Sequence, residues 1–506
     1  MFNFIKSSFR CWIIFGIVIA TCYAEIRCPT EQNCNCYLSP EGVFEIQCPT
    51  DNYSAFTVKV KSHERIGIEC VNFPKWIDFP TNVLPPENVT LLYFKMCELP
   101  INQSLSEISY KLGAQNVEKL IFHSYGKISV LNRKHLQGFP NLEYLSLTCN
   151  NLTNFSNDTF ADVPRLKNLN LRQNNIYSLS GIFNYIPYLE ILELGDNKLK
   201  EIDANTFEPL KALKMLNMWG NKFTEFKSNI FDKLVSLNSL DISSNYLNIL
   251  PNDIFAKLVN LELLNLAWNN FSSLPEGLLQ HNVKLNKVQL YNNRISMETL
   301  PNGLFANLKN LKEIELKNNG LIKLPDLLFH DSISLEIIDL SSNNLESLPE
   351  YLFTNLINLT KLTLNRNKLI SLPNKIFSQL KKLITLDLSS NNLTSISRSL
   401  FNDLISLQNL NMEKNQLKII EETSFNFLTK LRIAKFSDNQ LTFNTSINSY
   451  IDEYGRRSPF QSCSSLEELY LDKNNISDIF GDWLVTHVKL KKLNLQFNQI
   501  SEISVR

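Results

Sequence analysis

Leu142-Glu143-Tyr144-Leu145-Ser146-Leu147-Thr148-Cys149-Asn150-Asn151-Leu152 carries the pattern that organises the chain. Apolar residues stand first, fourth, sixth and eleventh, and Asn stands ninth. The same order returns from Leu166, Leu189, Leu213, Leu237, Leu261, Leu285, Leu311, Leu335, Leu359, Leu383, Leu407, Leu431, Leu466 and Leu490. Fifteen copies are joined by fourteen steps; eleven steps are 24 residues long, and the others are 23, 26 and 35. Two weaker copies precede them, from Val89 with Cys97 in the Asn position and from Val117 with Tyr125 there.

This order and period are the signature of leucine-rich repeats. Each repeat predicts a short strand around its middle apolar residues, with alternation turning those inward and their neighbours outward. The ninth-position residues are Asn150, Asn174, Asn197, Asn221, Asn245, Asn269, Asn293, Asn319, Asn343, Asn367, Asn391, Asn415, Asn439, Asn474 and Asn498. Their amides both donate and accept, so stacked repeats should align them into a ladder that satisfies backbone groups at the bend. Phe160, Phe207, Phe231, Phe255, Phe329, Phe353, Phe377, Phe401 and Phe425 fall nineteenth in their repeats, with Leu279 there once. They predict a second apolar spine under the convex side. Pro251, Pro275, Pro325, Pro349 and Pro373 fall fifteenth, where a fixed φ and a missing donor suit a non-helical segment.

One such repeat buries too little to fold alone, so the array reads as a single cooperative solenoid. The expected fold is an α/β solenoid, a horseshoe with a parallel β-sheet on its concave face. At ~4.8 Å per strand, seventeen repeats trace an inner arc of roughly 80 Å. Such a surface suits protein partners and offers no closed pocket for small-molecule chemistry.

Composition narrows the function further. The 506 residues include 50 Lys plus Arg and 50 Asp plus Glu, a formal net charge of zero. A polyanion binder usually carries a basic excess or stripe. Six His without a Cys/His cluster give little material for a metal site. No HExxH, GxSxG or phosphate-binding loop is present. No enzyme activity and no cofactor are expected.

Residues 1–24 read as a secretory signal. Lys6 and Arg10 precede the apolar stretch from Cys11 to Cys22, which is too short to span a bilayer, and Ala24 offers a cleavage site. An uncleaved anchor is the alternative. Eight Cys remain in an oxidising compartment, where disulfides are the default. Cys70 and Cys97 can bridge if the stretches they end are neighbouring strands. Cys149 and Cys463 lie many repeats apart and are each left as a free thiol or an intermolecular link. Eleven glycosylation sequons begin at Asn52, Asn88, Asn102, Asn151, Asn154, Asn157, Asn270, Asn358, Asn392, Asn444 and Asn475. Crowding at the strand-to-loop bend can leave Asn151, Asn392 and Asn475 bare.

Cys28-Pro29-Thr30-Glu31-Gln32-Asn33-Cys34-Asn35-Cys36 followed by Cys48-Pro49 resembles an extracellular N-terminal cap of leucine-rich-repeat proteins. Four Cys allow three connectivities. The resemblance implies Cys28–Cys36 and Cys34–Cys48, and a zinc site is the rival reading. With this cap, several irregularities occur together: the long lead-in holding Cys70 and Cys97, Asn217-Met218-Trp219-Gly220-Asn221, Leu300-Pro301 after a two-residue insertion, the enlarged repeat with Ser458-Pro459-Phe460, and Asp482-Trp483. In these features, from about Cys28 onward, the chain is similar to the ectodomains of insect Toll receptors. Residues 25–88 are then the cap and lead-in, and residues 89–506 the solenoid, enlarged at 431–465.

The resemblance implies a type I membrane receptor whose outer part binds a Spätzle-like cystine-knot cytokine, with a receptor dimer as a further possibility, for immune or developmental signalling. The sequence ends within the array, before the cysteine cap, membrane helix and TIR domain of that family. It is therefore expected to be a fragment or a truncated product, extracellular, and secreted if it ends at residue 506. Membrane contact would come only through a missing segment. An adhesion or matrix protein with the same solenoid is the alternative.

Outward positions on the concave face include Arg172, Glu193, Asp196, Asp241, Lys287, Glu313, Glu315 and Lys317, whose mixed signs weaken a nucleic-acid role. Trp219, Trp268 and Tyr291 are expected to project from three strands there, as aromatic anchors for a protein ligand or as rings packed against one another and against Met215 or Leu263. The resemblance places the ligand on the N-terminal part of this face and its cap. In the enlarged repeat, Arg456-Arg457 reads as a solvated loop or a protease-sensitive tip.

Overall fold

The computed structural model describes residues 34–40, 42–62, 64–72, 74–79, 89–100, 103–125, 130–421, 423–442, 458–477 and 487–501. The signal, Cys28, Asn88, Asn102, Asn444, Arg456-Arg457 and Asp482-Trp483 lie outside them.

Four antiparallel strands open the described chain: β1 (Asn35–Leu38), β2 (Phe44–Pro49), β3 (Ala55–Ser62) and β4 (Arg65–Val71). Their inward residues, Ile46, Phe56, Val58, Ile66 and Ile68, are fully buried. The strand Leu91–Lys95 joins β4 in parallel, and every later strand of this sheet continues that direction to Lys492–Asn494. Among the described residues the result is one 21-stranded sheet.

From Tyr144–Ser146 onward the strands of this sheet are three residues long. The fourth residue of each repeat points inward and is flanked by two outward ones, as in Asn168-Leu169-Asn170. Register is strict. Leu169, Leu192, Leu216, Leu240 and Leu264 follow one another across neighbouring strands. It survives the 26-residue repeat, where Val288 pairs with Ile314, and the 35-residue repeat, where Ala434 pairs with Leu469. A one-residue slip would turn every buried Leu to solvent, so the extra residues are absorbed behind the sheet. A single apolar core runs from Ile46 to Ile476.

The Asn residues bind across coils. Asn245 Nδ2 donates to Met218 O of the preceding coil (3.1 Å) and to Ile242 O and Ser243 O of its own (3.1 and 3.0 Å), while its Oδ1 accepts from Phe223 N–H (3.2 Å). Asn150 serves the coil in which Tyr125 stands at the Asn position: its Oδ1 accepts from Ser124 N–H (2.7 Å) and its Nδ2 donates to Phe122 O (2.7 Å). Asn293, in the 26-residue repeat, departs from the pattern. Its Nδ2 donates to Asn319 Oδ1 (3.1 Å), and its buried Oδ1 has no partner among the described residues.

The residue before each regular ladder Asn is left-handed. Fourteen non-glycine residues there, from Cys149 to Phe497, have φ between 53° and 60°, and Gly220 has φ +68°. Each such turn costs an L-residue roughly 1–2 kcal/mol, offset by the Asn bonds on either side.

Phe side chains stack behind the sheet. Phe207, Phe231 and Phe255 follow one another at 6.4 Å, and Phe377 and Phe401 at 6.2 Å. Phe183 and Phe305 join the spine although the 23- and 26-residue repeats shift their count. Phe460 fills the enlarged repeat against Phe425 and Phe436 (5.1 and 5.6 Å). Among the described residues, α-helix is confined to Leu105–Lys111 and Arg133–Leu136; the other coils return through turns.

Cys34 is bonded to Cys48, and Cys70 to Cys97, with the latter pair's Cα atoms 5.0 Å apart on neighbouring strand ends. Cys36 is disulfide-bonded. Cys149 is a partly exposed free thiol and Cys463 a buried one.

Candidate functional site

Three outward positions per coil, the third, fifth and seventh, form the concave face. The fifth position is largely acid or amide for a local reason. Asn217 Oδ1 accepts from Trp219 N–H (3.1 Å), Asp241 from Ser243 N–H (2.9 Å), Asn265 from Ala267 N–H (3.1 Å) and Asp339 from Ser341 N–H (3.0 Å). A short polar side chain two residues back closes each turn. These carboxylates and amides are part of the fold before they are a surface.

Glu193 departs from this row. It is one methylene too long for that turn, it is half-buried, and its Oε2 has no hydrogen-bond partner among the described residues. Burial raises its pKa and the Arg172 charge opposes the rise. Beside it, the indole of Trp219 lies across Gly195, where an added Cβ would meet Nε1 at 2.3 Å. The Arg172 guanidinium sits 5.4 Å from the indole centroid. Trp219 therefore folds toward the cap across two coils, held by cation–π attraction.

The same arrangement occurs nearer the cap. Gly67 pairs in register with Tyr93, and a Cβ on Gly67 would overlap the phenol ring. Lys61 Nζ and Arg65 Cζ each stand 5.9 Å from that ring's centroid. Beside it, Lys59 bridges Glu45 and Glu69 (3.7 and 3.0 Å), and Lys95 reaches Glu69 at 3.7 Å. Tyr93 is absent from the aromatic residues expected from the sequence. The usable signal was a glycine within a strand, in a chain with only 14 glycines.

The expectation that Trp219, Trp268 and Tyr291 project from strands is corrected. The strands are Met215–Asn217, Leu263–Asn265 and Lys287–Gln289, and all three aromatics lie beyond them. Trp219 and Tyr291 are seventh in their repeats and still face the concave side. Trp268 is eighth, at the left-handed turn (φ 57°), and stands 47% exposed at the rim. Asp196 occupies the same rim position (φ 54°). Strand alternation ends at the seventh residue because the left-handed turn rotates the eighth away.

Tyr291 lies under Lys317 Nζ at 4.9 Å, beside Lys287, which reaches Glu313 and Glu315 at 3.0 and 2.8 Å. That network balances its own charge. Met215 and Leu263 are 36% and 44% exposed on the same face. The sequons at Asn151, Asn270, Asn392 and Asn475 all occupy the tenth position, on the flank where strands end; Asn358 lies on the other flank, with its Nδ2 donating to Ile333 O (3.0 Å). Asn154 and Asn157 are exposed between Asn151 and the turn behind, and Asn52 is exposed in the cap.

Comparison with known proteins agrees with this architecture. Residues 115–176, 180–223, 218–271 and 456–500 match the family model described as leucine rich repeat, and residues 273–391 and 346–451 match the BspA type leucine rich repeat region. Protein toll of Drosophila melanogaster is 32% identical over 161 residues, 31% of this chain and 15% of that protein. Asporin of Bos taurus is 29% identical over 123 residues, 24% of this chain and 32% of that protein. Among solved structures, the Toll–Spatzle complex from Drosophila superposes with a TM-score of 0.80 at 31% identity, covering 92% of this chain and 62% of that one. Its glycosylated form gives 0.82 at 31% identity, covering 94% and 64%. The chain spans less than two thirds of the length of each of these four relatives.

Proposed function

We propose that this chain, a leucine-rich-repeat ectodomain of the Toll type, binds a Spätzle-like cystine-knot cytokine on the extracellular side of a membrane, as the recognition half of a signalling receptor. The observation that carries this reading is the likeness to the Toll–Spatzle complex structure across nine tenths of the chain. The concave face supports it physically. Tyr93 and Trp219 form two rigid aromatic plates, each beside a cation, and Met215 is exposed elsewhere on the same face. Rigid aromatics and arginine are the residues that most often anchor protein partners.

Trp219→Ala tests the reading. The secreted variant should bind a purified cystine-knot cytokine of this class at least tenfold more weakly in surface plasmon resonance. Unchanged affinity removes Trp219 from the contact. Failure of the unmutated chain to bind any such cytokine removes the reading itself.

An adhesion or matrix role is the second reading, because the solenoid and cap by themselves do not distinguish the two. Sequencing the transcript beyond residue 506 separates the two: a membrane helix and TIR domain support the receptor, and a stop codon or lipid-anchor signal supports adhesion.

A further inference from the structure

The flank leading into the strands carries a charged row independent of the concave face. The last residue of each repeat from Lys382 onward alternates between lysine and serine: Lys382, Ser406, Lys430, Ser465, Lys489. Stacking places successive lysines about two strand spacings apart, roughly 10 Å. Small Ser465 leaves a gap between exposed Lys430 and Lys489. The gap is an open cleft of ≈ 260 Å³, with Gln408, Arg432 and Glu467 completing its lining.

Charge in and beside the cleft is unequal. Arg432 Nε donates to Glu467 Oε1 at 2.7 Å, and Lys491 Nζ reaches Glu467 Oε2 at 2.9 Å. These two cations hold the Glu467 carboxyl down at about 2, with Arg432 the larger cause. Glu468 acts on Arg432 from the concave side. Lys430, Arg432, Lys489 and Lys491 thus stand against two carboxylates. The Nε bond uses one of five guanidinium donors, so Arg432 is oriented by Glu467 with donors left for another acceptor. The excess is local, because the whole chain is neutral.

We propose that this flank binds a linear sulfated polysaccharide, with one sulfate seated in the cleft between Lys430 and Lys489 and the chain running toward Lys382. An acidic polymer with regularly spaced anions matches a row of cations that repeats every second coil. The bond-oriented arginine in the lining matches the planar fork that sulfate oxygens accept. This site lies off the concave face and does not depend on the proposed cytokine contact.

Immobilised heparin is the probe, with the secreted chain in solution. Lys430→Glu/Lys489→Glu should weaken binding at least tenfold and flatten its salt dependence. Lys211→Glu, an exposed lysine in the N-terminal half of the same flank, should leave binding unchanged. Ser465→Trp fills the cleft without altering charge and should also weaken binding. Both lysines are exposed, so the variants should unfold at the wild-type temperature. Three results overturn the proposal: the lysine variant binding within twofold of wild type, Ser465→Trp binding normally, or sodium sulfate at matched ionic strength displacing heparin as well as dextran sulfate does. The last would indicate a site for a free anion.

Discussion

The indole of Trp219 lies flat over Gly195 of the neighbouring coil, at a place where any Cβ would collide with its Nε1. The glycine is a platform for the ring, and Arg172 closes the far side at 5.4 Å. Gly195→Ala should therefore displace the ring without breaking the solenoid. The stability loss should be about 1 kcal/mol, the scale of one cation–π contact. Tryptophan emission should shift, and cytokine affinity should fall as for Trp219→Ala. Unchanged emission would show that the ring does not rest there.

Ladder positions are unequal. Asn245 holds three carbonyls and one N–H, whereas Asn293 donates only to Asn319 and leaves its own oxygen bare. Asn245→Ala orphans buried backbone groups and should cost about 3 kcal/mol or more. Asn293→Ala should cost less than half as much. Urea unfolding of the two secreted variants compares them directly, and equal losses would refute the distinction.

Cys97 stands in a ladder position and has no amide to offer, but its bond to Cys70 ties the first coils covalently. Cys70→Ser/Cys97→Ser should destabilise the cap region by roughly 2–4 kcal/mol. Hydrogen exchange should rise in β3, β4 and Leu91–Lys95 while coils beyond Tyr144 keep their protection. Uniform loosening along the whole array would contradict this.

Cys463 is buried among the apolar side chains of the enlarged repeat, and burial pushes its thiol up to about 12. A folded pKa above the unfolded value of ~8.5 stabilises fully below that value. The contribution falls as pH rises from there toward about 12. At pH 8 a thiol reagent should label Cys149 in the folded protein and reach Cys463 only after denaturation. Equal labelling rates would place Cys463 at the surface.

Much of the fold was legible because its signals repeat. Leu169, Leu192 and Leu216 bury for the same reason in every coil, and each ladder Asn is read from its own short segment. The count misled where a coil changed length. Phe183 and Phe305 belong to the stacked spine, yet one deletion and one insertion move them off the nineteenth position. The aromatic residues of the concave face were legible only in part. Trp219 and Trp268 look alike in sequence, but a single residue of offset puts one on the face and the other at the left-handed rim.

The sequence alone determined the solenoid, the polar ladder and the apolar spines, since each follows from local periodicity and stacking repeats identical solutions. Only the tertiary structure decided which side chains meet across coils: Tyr93 over Gly67, Trp219 over Gly195, and Lys430 facing Lys489 across Ser465. Those juxtapositions join residues 24 to 59 apart in the chain. They depend on register and ring orientation, which a hydrophobic pattern does not encode.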